Sequence, residues 1–362
     1  MPSNSRTASR RACTDHGFHA QARSLWFRAC CIFGLLFLSP KLFALTDTVA
    51  LLYPDASSRE PAADTLQFPV GSISKTVTAV LTLKLAAEGR LTLDDPLSRW
   101  LPELSGKLKK PELITLRFLL DHRSGIYNYT DLSHYQHAQS WPLDQALDAG
   151  LDERAYFRPG EGWHYSNTNY LLLQKVLEKA SGLALDELFR QRIAIPLRLV
   201  HSGYFPHGEN VTLPPGYHEA ERVSAPREAL ADAGFITTAP ELLRLIRAIF
   251  TDDRFLSPRW RREMTHFVGV KPEVGAYGLG LVRSEWQGTR YWWHSGFLRG
   301  YLSAYYWFPD QGQGMVIFVN RSDAEGKARQ QRLFEQGACR VVQKNCRPEA
   351  PVPVLEAGTP QR

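Results

Sequence analysis

The sequence predicts an α/β fold: an antiparallel sheet flanked by helices, built from both chain ends, with a mostly helical domain inserted. Three observations carry this. Beyond residue 275, short apolar or aromatic runs alternate with turn signals such as Gln287-Gly288 and Asp310-Gln311-Gly312, the texture of a strand meander. From 113 to 250, helical patterns dominate. A strand-like run and an apolar helix precede that stretch, and a further helix follows the meander, so the two chain ends share one layer system.

Taken in order, the chain opens on a basic, polar stretch leading into Ala29-Cys-Cys-Ile-Phe-Gly-Leu-Leu-Phe-Leu38, with the small residue Ala44 soon after. That is the order of a secretory signal peptide over 1–44, with a periplasmic or secreted product. The apolar core is shorter than the roughly 20 residues that span a bilayer. The alternative is a retained anchor giving a membrane-associated form that faces the periplasm. The same stretch explains the charge. Lysine plus arginine exceed the acids by 43 to 37, a net of +6, and the first 44 residues hold +5 of it. The remainder is nearly neutral, which argues against a nucleic-acid partner. With 44% hydrophobic and 22% charged residues, the chain is neither disordered nor fibrous.

Residues 48–53 read as a strand and 54–66 as a loop. Val77, Val80, Leu81 and Leu85 give a helix over 73–88, closed by Gly89. Asp94-Asp95-Pro96 is a fresh helix start or tight loop. Helices follow at 115–121, 142–150, 169–180 and 240–250, punctuated by Pro159-Gly160 and Pro214-Pro215-Gly216. Strands are expected at 279–285, 289–294, 301–308 and 314–320, then a helix over 322–341. The α/β part is therefore 45–90 plus 251–346, the helical part 91–250, and 347–362, with four prolines, a flexible tail. Cys339 and Cys346 are the pair left after leader removal, an expected disulfide provided that the helix ends between them, since seven residues of one helix rise about 10 Å.

Three short motifs carry chemistry. Ser72 and Lys75 stand three apart at a helix start, so one turn puts both side chains on one face. A lysine in a dry site has a lowered pKa and can act as the base that a serine nucleophile needs. Ser74 is a rival serine that points elsewhere on the helix. Tyr165-Ser166-Asn167, ahead of a helix, offers a phenol that can relay a proton and an amide that can hold the lysine or a substrate amide. Otherwise Asn167 is a helix cap. His294-Ser295-Gly296-Phe297 ends an aromatic strand; Gly296 permits close approach of a substrate backbone and the Phe297 amide can face the site. The plain alternative for His294 is a structural histidine. Two cysteines at this spacing make no metal site.

In order, spacing and surroundings, these motifs resemble the serine beta-lactamase-like superfamily, in its class C beta-lactamase, D-alanyl-D-alanine carboxypeptidase and esterase branch. The resemblance runs from about 66 to 325 and includes Gly71 before the serine, Thr76 after the lysine, Leu119-Leu-Asp-His-Arg-Ser-Gly125, Ala233-Gly-Phe-Ile-Thr-Thr-Ala239 and Tyr277-Gly-Leu-Gly280. It implies a beta-lactamase/transpeptidase-like fold and an acyl-enzyme mechanism without cofactor or metal. Ser72 would attack a carbonyl, Lys75 and Tyr165 would share the base and relay roles, and the Ser72 and Phe297 amides would form the oxyanion hole. Asn167 would orient Lys75 and the substrate amide. His294, where many beta-lactamases carry lysine, points to the peptidase and esterase members. The substrate would be a small acyl donor or a cell-wall peptide, so the expected activity is that of a D,D-carboxypeptidase-like peptidase or an esterase. The alternatives are a beta-lactamase, or a non-catalytic peptidoglycan- or partner-binding protein on the same fold. Arg299 either meets a substrate carboxylate or is a solvent-facing loop residue. Only 27 residues lie between Ala44 and Ser72, where such proteins usually have a helix and two strands, leaving room for about one strand.

Overall fold

The computed structural model describes residues 47–51, 65–135, 141–205, 213–224, 230–269 and 275–342. The expected leader, the 54–64 part of the loop, Cys346 and the tail lie outside the described residues. Strands are β1 (Asp47–Leu51), β2 (Phe68–Pro69), β3 (Gly203–Tyr204), β4 (Gly216–His218), β5 (Glu221–Val223), β6 (Phe235–Thr237), β7 (Val268–Gly269), β8 (Ala276–Tyr277), β9 (Val282–Trp286), β10 (Thr289–Leu298), β11 (Tyr301–Phe308) and β12 (Gln313–Val319). Helices are α1 (Ser74–Ala87), α2 (Leu97–Trp100), α3 (Leu116–Leu120), α4 (Leu143–Leu151), α5 (Asn167–Ser181), α6 (Leu185–Phe189), α7 (Ile195–Leu197), α8 (Ala239–Thr251), α9 (Pro258–Met264) and α10 (Ala324–Val342).

Seven strands form one antiparallel sheet in the order β1-β12-β11-β10-β9-β8-β7. Both chain ends contribute, as expected: the N-terminal β1 pairs with the C-terminal β12. The runs at 301–308 and 313–319 lack polar alternation because both faces of β11 and β12 are covered. Tyr305, Trp307, Val316 and Phe318 join the core shared with α1 and α8. Their neighbours Tyr306, Phe308, Met315 and Ile317 face the other way, into a core with Phe334, Ala338 and Val341 of α10. Cys339 on α10 is disulfide-bonded.

α1 is buried at every position from Ser74 to Leu83, as befits an interior helix that is apolar on most sides. Three features press its N-terminus against the sheet. β2 pairs with β6, and Val70 N–H donates to Phe235 O at 3.0 Å. Ser303 Oγ of β11 donates to Val70 O at 2.8 Å. Gly280 takes φ +71°, and a Cβ there would sit 2.6 Å from the Lys75 carbonyl; Thr76 Oγ1 returns a bond to Gly280 O at 2.7 Å.

The departures from expectation have local causes. The strand expected from 279 begins at 282, because Gly278 N–H closes a turn onto Leu281 O. β10 runs to Leu298 instead of 294, because Ser295 and Gly296 are small enough to continue beside Val70. The small sheet β2-β6-β3 and the hairpin β4-β5 went unpredicted; strands of two or three residues carry no readable periodicity.

Candidate active site

The serine and lysine meet at the start of α1. A 3-10 turn, Gly71–Ile73, precedes the helix, with Gly71 at φ +51°, a left-handed backbone that favours glycine. A Cβ on Gly71 would lie 3.1 Å from both N and O of Phe297, so the end of β10 is seated directly against the residue before the serine. Ser72 is partly exposed, whereas Ser74 and Lys75 are fully buried. Lys75 Nζ donates to Ser72 Oγ at 3.0 Å and to the Asp232 carbonyl at 2.9 Å. Burial pulls the Lys75 pKa down to about 7, with the Asp232 carboxylate opposing that shift. The amine is therefore substantially neutral near pH 7 and able to accept a proton.

Ser74 does a different job. Its hydroxyl donates to Gly71 O at 2.6 Å and accepts from Phe235 N–H at 3.0 Å. It ties the turn to β6 and has no path to solvent.

Tyr165 comes from the segment leading into α5. Its hydroxyl is hydrogen-bonded to Ser72, and Lys75 Nζ lies 5.0 Å from the ring centroid. Desolvation pushes the phenol well above its ordinary pKa, so the side chain is a neutral hydroxyl at neutral pH. Asn167 is the first residue of α5. Its backbone N–H donates to Asn128 Oδ1 at 2.9 Å and its Nδ2 to Thr130 Oγ1 at 3.0 Å, while its Oδ1 is buried without a partner. Lys75 is thus held by Ser72 and Asp232, and the Asn167 amide is held by the 128–130 turn.

On β10, His294 is fully buried between Tyr277 Oη, 3.0 Å from Nε2, and its neighbour's carbonyl, Ser295 O, 2.7 Å from Nδ1. Nδ1 must donate to a carbonyl, so Nε2 accepts from the tyrosine and the ring is neutral. Burial, then Lys75, lowers its pKa to about 3. Ser295 Oγ is buried without a partner. Gly296 has a different reason from the one expected. A Cβ there would fall 1.9 Å from Val70 O, so the close approach it permits is to the chain's own backbone beside Ser72. Arg299, in the turn after β10, is partly exposed and forms a two-pronged surface pair with Glu221 of β5, at 3.0 and 2.6 Å.

Buried residues that sequence reasoning passed over complete the site. His122, at φ +63°, accepts Ser166 N–H on Nδ1 at 3.1 Å and packs 4.4 Å from the Tyr165 ring, fixing that segment. Asp232 lies behind Lys75. His122 stood inside the motif 119–125; Asp232, in a stretch of unremarkable polarity, gave no signal.

A nucleophile with a buried amine and a phenol around it is a serine-hydrolase arrangement, and residues 43–338 match the family model described as Beta-lactamase. The chain belongs to that family. Among curated relatives it is 27% identical over 298 residues to penicillin-binding protein 4* of Bacillus subtilis (75% of this chain, 64% of that protein). It is 27% identical over 323 residues to esterase EstB of Burkholderia gladioli (75% and 81%). The chain spans 58% of the D-aminopeptidase of Cereibacter sphaeroides, at 26% identity over 82% of its own length. Among solved structures, a D-stereospecific amidohydrolase from Streptomyces superposes with TM-score 0.68 at 30% identity, covering 76% of this chain and 87% of that one. D-amino acid amidase from Ochrobactrum anthropi shares the fold at TM-score 0.70 and 21% identity, covering 82% and 93%.

Proposed function

We propose that this chain hydrolyses the amide or ester bond of a short D-aminoacyl or related acyl donor through a Ser72 acyl-enzyme. One observation carries the reading: a partly exposed serine hydroxyl 3.0 Å from a fully buried amine whose pKa is drawn down to about 7. Ser72 attacks the carbonyl, and its proton passes to Lys75 directly or through Tyr165. The Ser72 and Phe297 amides receive the oxyanion, and Asn167, with Ser295, orients the donor. The leaving group departs with the proton, and water then releases the acid by the same route.

The relatives include an esterase, a D-aminopeptidase and a D-stereospecific amidohydrolase. Within that range the charges favour donors without a free carboxylate. His294 is neutral, and the Arg299 guanidinium, in the turn after β10, is paired with Glu221, so a carboxylate on a D,D-dipeptide or a penicillin has to compete with Glu221 for it. Export to the periplasm or outside the cell fits such donors and remains part of the proposal.

The test is a comparison of kcat/KM for D-alanyl and L-alanyl esters and anilides, an acylated D-alanyl-D-alanine peptide and a chromogenic cephalosporin. The D-aminoacyl ester or anilide should lead. Preference for the D,D-peptide, lost on Arg299→Ala, would overturn the substrate class.

A further inference from the structure

We propose that the side chain of Asp232 is a positioning residue for catalysis, setting the proton affinity of Lys75 and so the pH at which Ser72 becomes reactive. The inference rests on the acyl-enzyme reading above and concerns a residue outside the three motifs.

Asp232 is 1% exposed and touches the lysine by its backbone, whose carbonyl accepts from Nζ at 2.9 Å. Its carboxylate is held separately. Oδ2 accepts from the Tyr129 hydroxyl at 3.0 Å, and Oδ1 is buried without a partner. Tyr129 in turn is hydrogen-bonded to Tyr135. Among the described residues, Lys75 is the cation that acts on this carboxylate, and Asp232 is the carboxylate that acts on Lys75. A carboxylate in a dry interior is costly unless something offsets it. Burial raises the Asp232 pKa, and the charge of a protonated Lys75 is the largest influence opposing that rise, ahead of the Tyr129 hydroxyl and the backbone N–H groups of Asp232 and Ala233.

The other groups around the amine do not supply that charge. Ser72 of the opening turn, Tyr165 ahead of α5, Tyr170 of α5 and Tyr277 of β8 are neutral, and each phenol's pKa is raised. His122 and His294 are buried and neutral, with pKa values lowered. Burial alone would make Lys75 a weak base, ready to be neutral and poor at taking a proton. The carboxylate restores basicity, so the conjugate acid is stabilised as the proton leaves Ser72. A base poised near the working pH is the most effective.

The sign follows. Removing the negative charge lowers the lysine pKa, so the neutral amine persists to lower pH and the acid limb of acylation moves down. The experiment uses the full chain and measures the rate of covalent labelling by a fluorophosphonate against pH, by intact mass. Wild type should show an acid limb. Asp232→Asn should keep its fold by circular dichroism, shift that limb down by about one pH unit and label several-fold more slowly on the plateau. Tyr129→Phe, which loosens the carboxylate, should shift it the same way by less. If Asp232→Asn does not fold, Tyr129→Phe decides. An unmoved acid limb in the folded variants overturns the proposal while leaving the Ser72 reading intact. A wild type that takes no label removes that reading and the proposal with it.

Discussion

At the residue scale, the site depends on the proton state of one amine more than on its charge. Lys75 is enclosed, bonded to Ser72, and lowered to about 7 chiefly by desolvation. Arginine would keep the charge and could not give up its proton. Lys75→Arg is therefore expected to lose acylation as severely as Lys75→Ala, by about 10²–10⁴-fold in stopped-flow acylation. Near-wild-type rates in Lys75→Arg would mean that the positive charge alone suffices. Ser72, Lys75, Tyr165 and Asn167, to which the proposal gives the chemistry, stand out in the sequence because each lies in a short motif at helical or turn spacing. Asp232 and His122 do not, because their roles arise from long-range packing: Asp232 is 157 positions from the lysine it touches.

At the element scale, the site is a junction between the N-terminus of α1 and the end of β10. The seam is closed by two glycines, Gly71 against Phe297 and Gly296 against Val70. Gly296→Ala places a Cβ 1.9 Å from Val70 O, a backbone atom that Ser303 also holds. The strand must then move away from Ser72, and a displacement of about 1 Å is enough to lose roughly 10²-fold in kcat/KM. Steady-state kinetics on the folded variant should show that loss, and retained activity would mean that the oxyanion donors lie elsewhere. The far side of the sheet behaves differently. Phe334 of α10 is fully buried against Trp286, Tyr291 and Tyr306. Phe334→Ala should cost about 3–5 kcal/mol of stability by chemical denaturation. It should leave the pH dependence of acylation unchanged. The long helices were readable from their periodicity, and the double-sided strands β11 and β12 as unbroken apolar runs between turn signals. The two-residue strands β2, β3, β7 and β8 are defined by their partners, which no local pattern reveals.

At the scale of the whole molecule, one antiparallel sheet drawn from both chain ends supports a site assembled from α1, the approach to α5, β6 and β10. The N-terminal strand expected before Ser72 is β1, which pairs with β12 in the large sheet, and among the described residues the two-residue β2 also precedes Ser72. The ionisations that matter are separated along the pH axis. Burial lowers His294 to about 3 and raises the Tyr165 phenol well above its ordinary value, so both are neutral where Lys75, drawn down to about 7, changes state. Because the base works deprotonated, kcat/KM should rise with pH through about 7 and then level off. A profile already flat from pH 5 to 8 would point to a different base.

The central claim, that Ser72 is the nucleophile and Ser74 a structural hydroxyl, is tested most directly by intact-mass analysis and peptide fragmentation after treatment with a serine-directed fluorophosphonate. Wild type should gain one adduct, on Ser72. Ser72→Ala should gain none. Ser74→Ala should still be labelled while losing about 1–3 kcal/mol of stability, since Phe235 N–H is left without its acceptor. A label on Ser74, a labelled Ser72→Ala, or a folded wild type that takes no label would contradict the account.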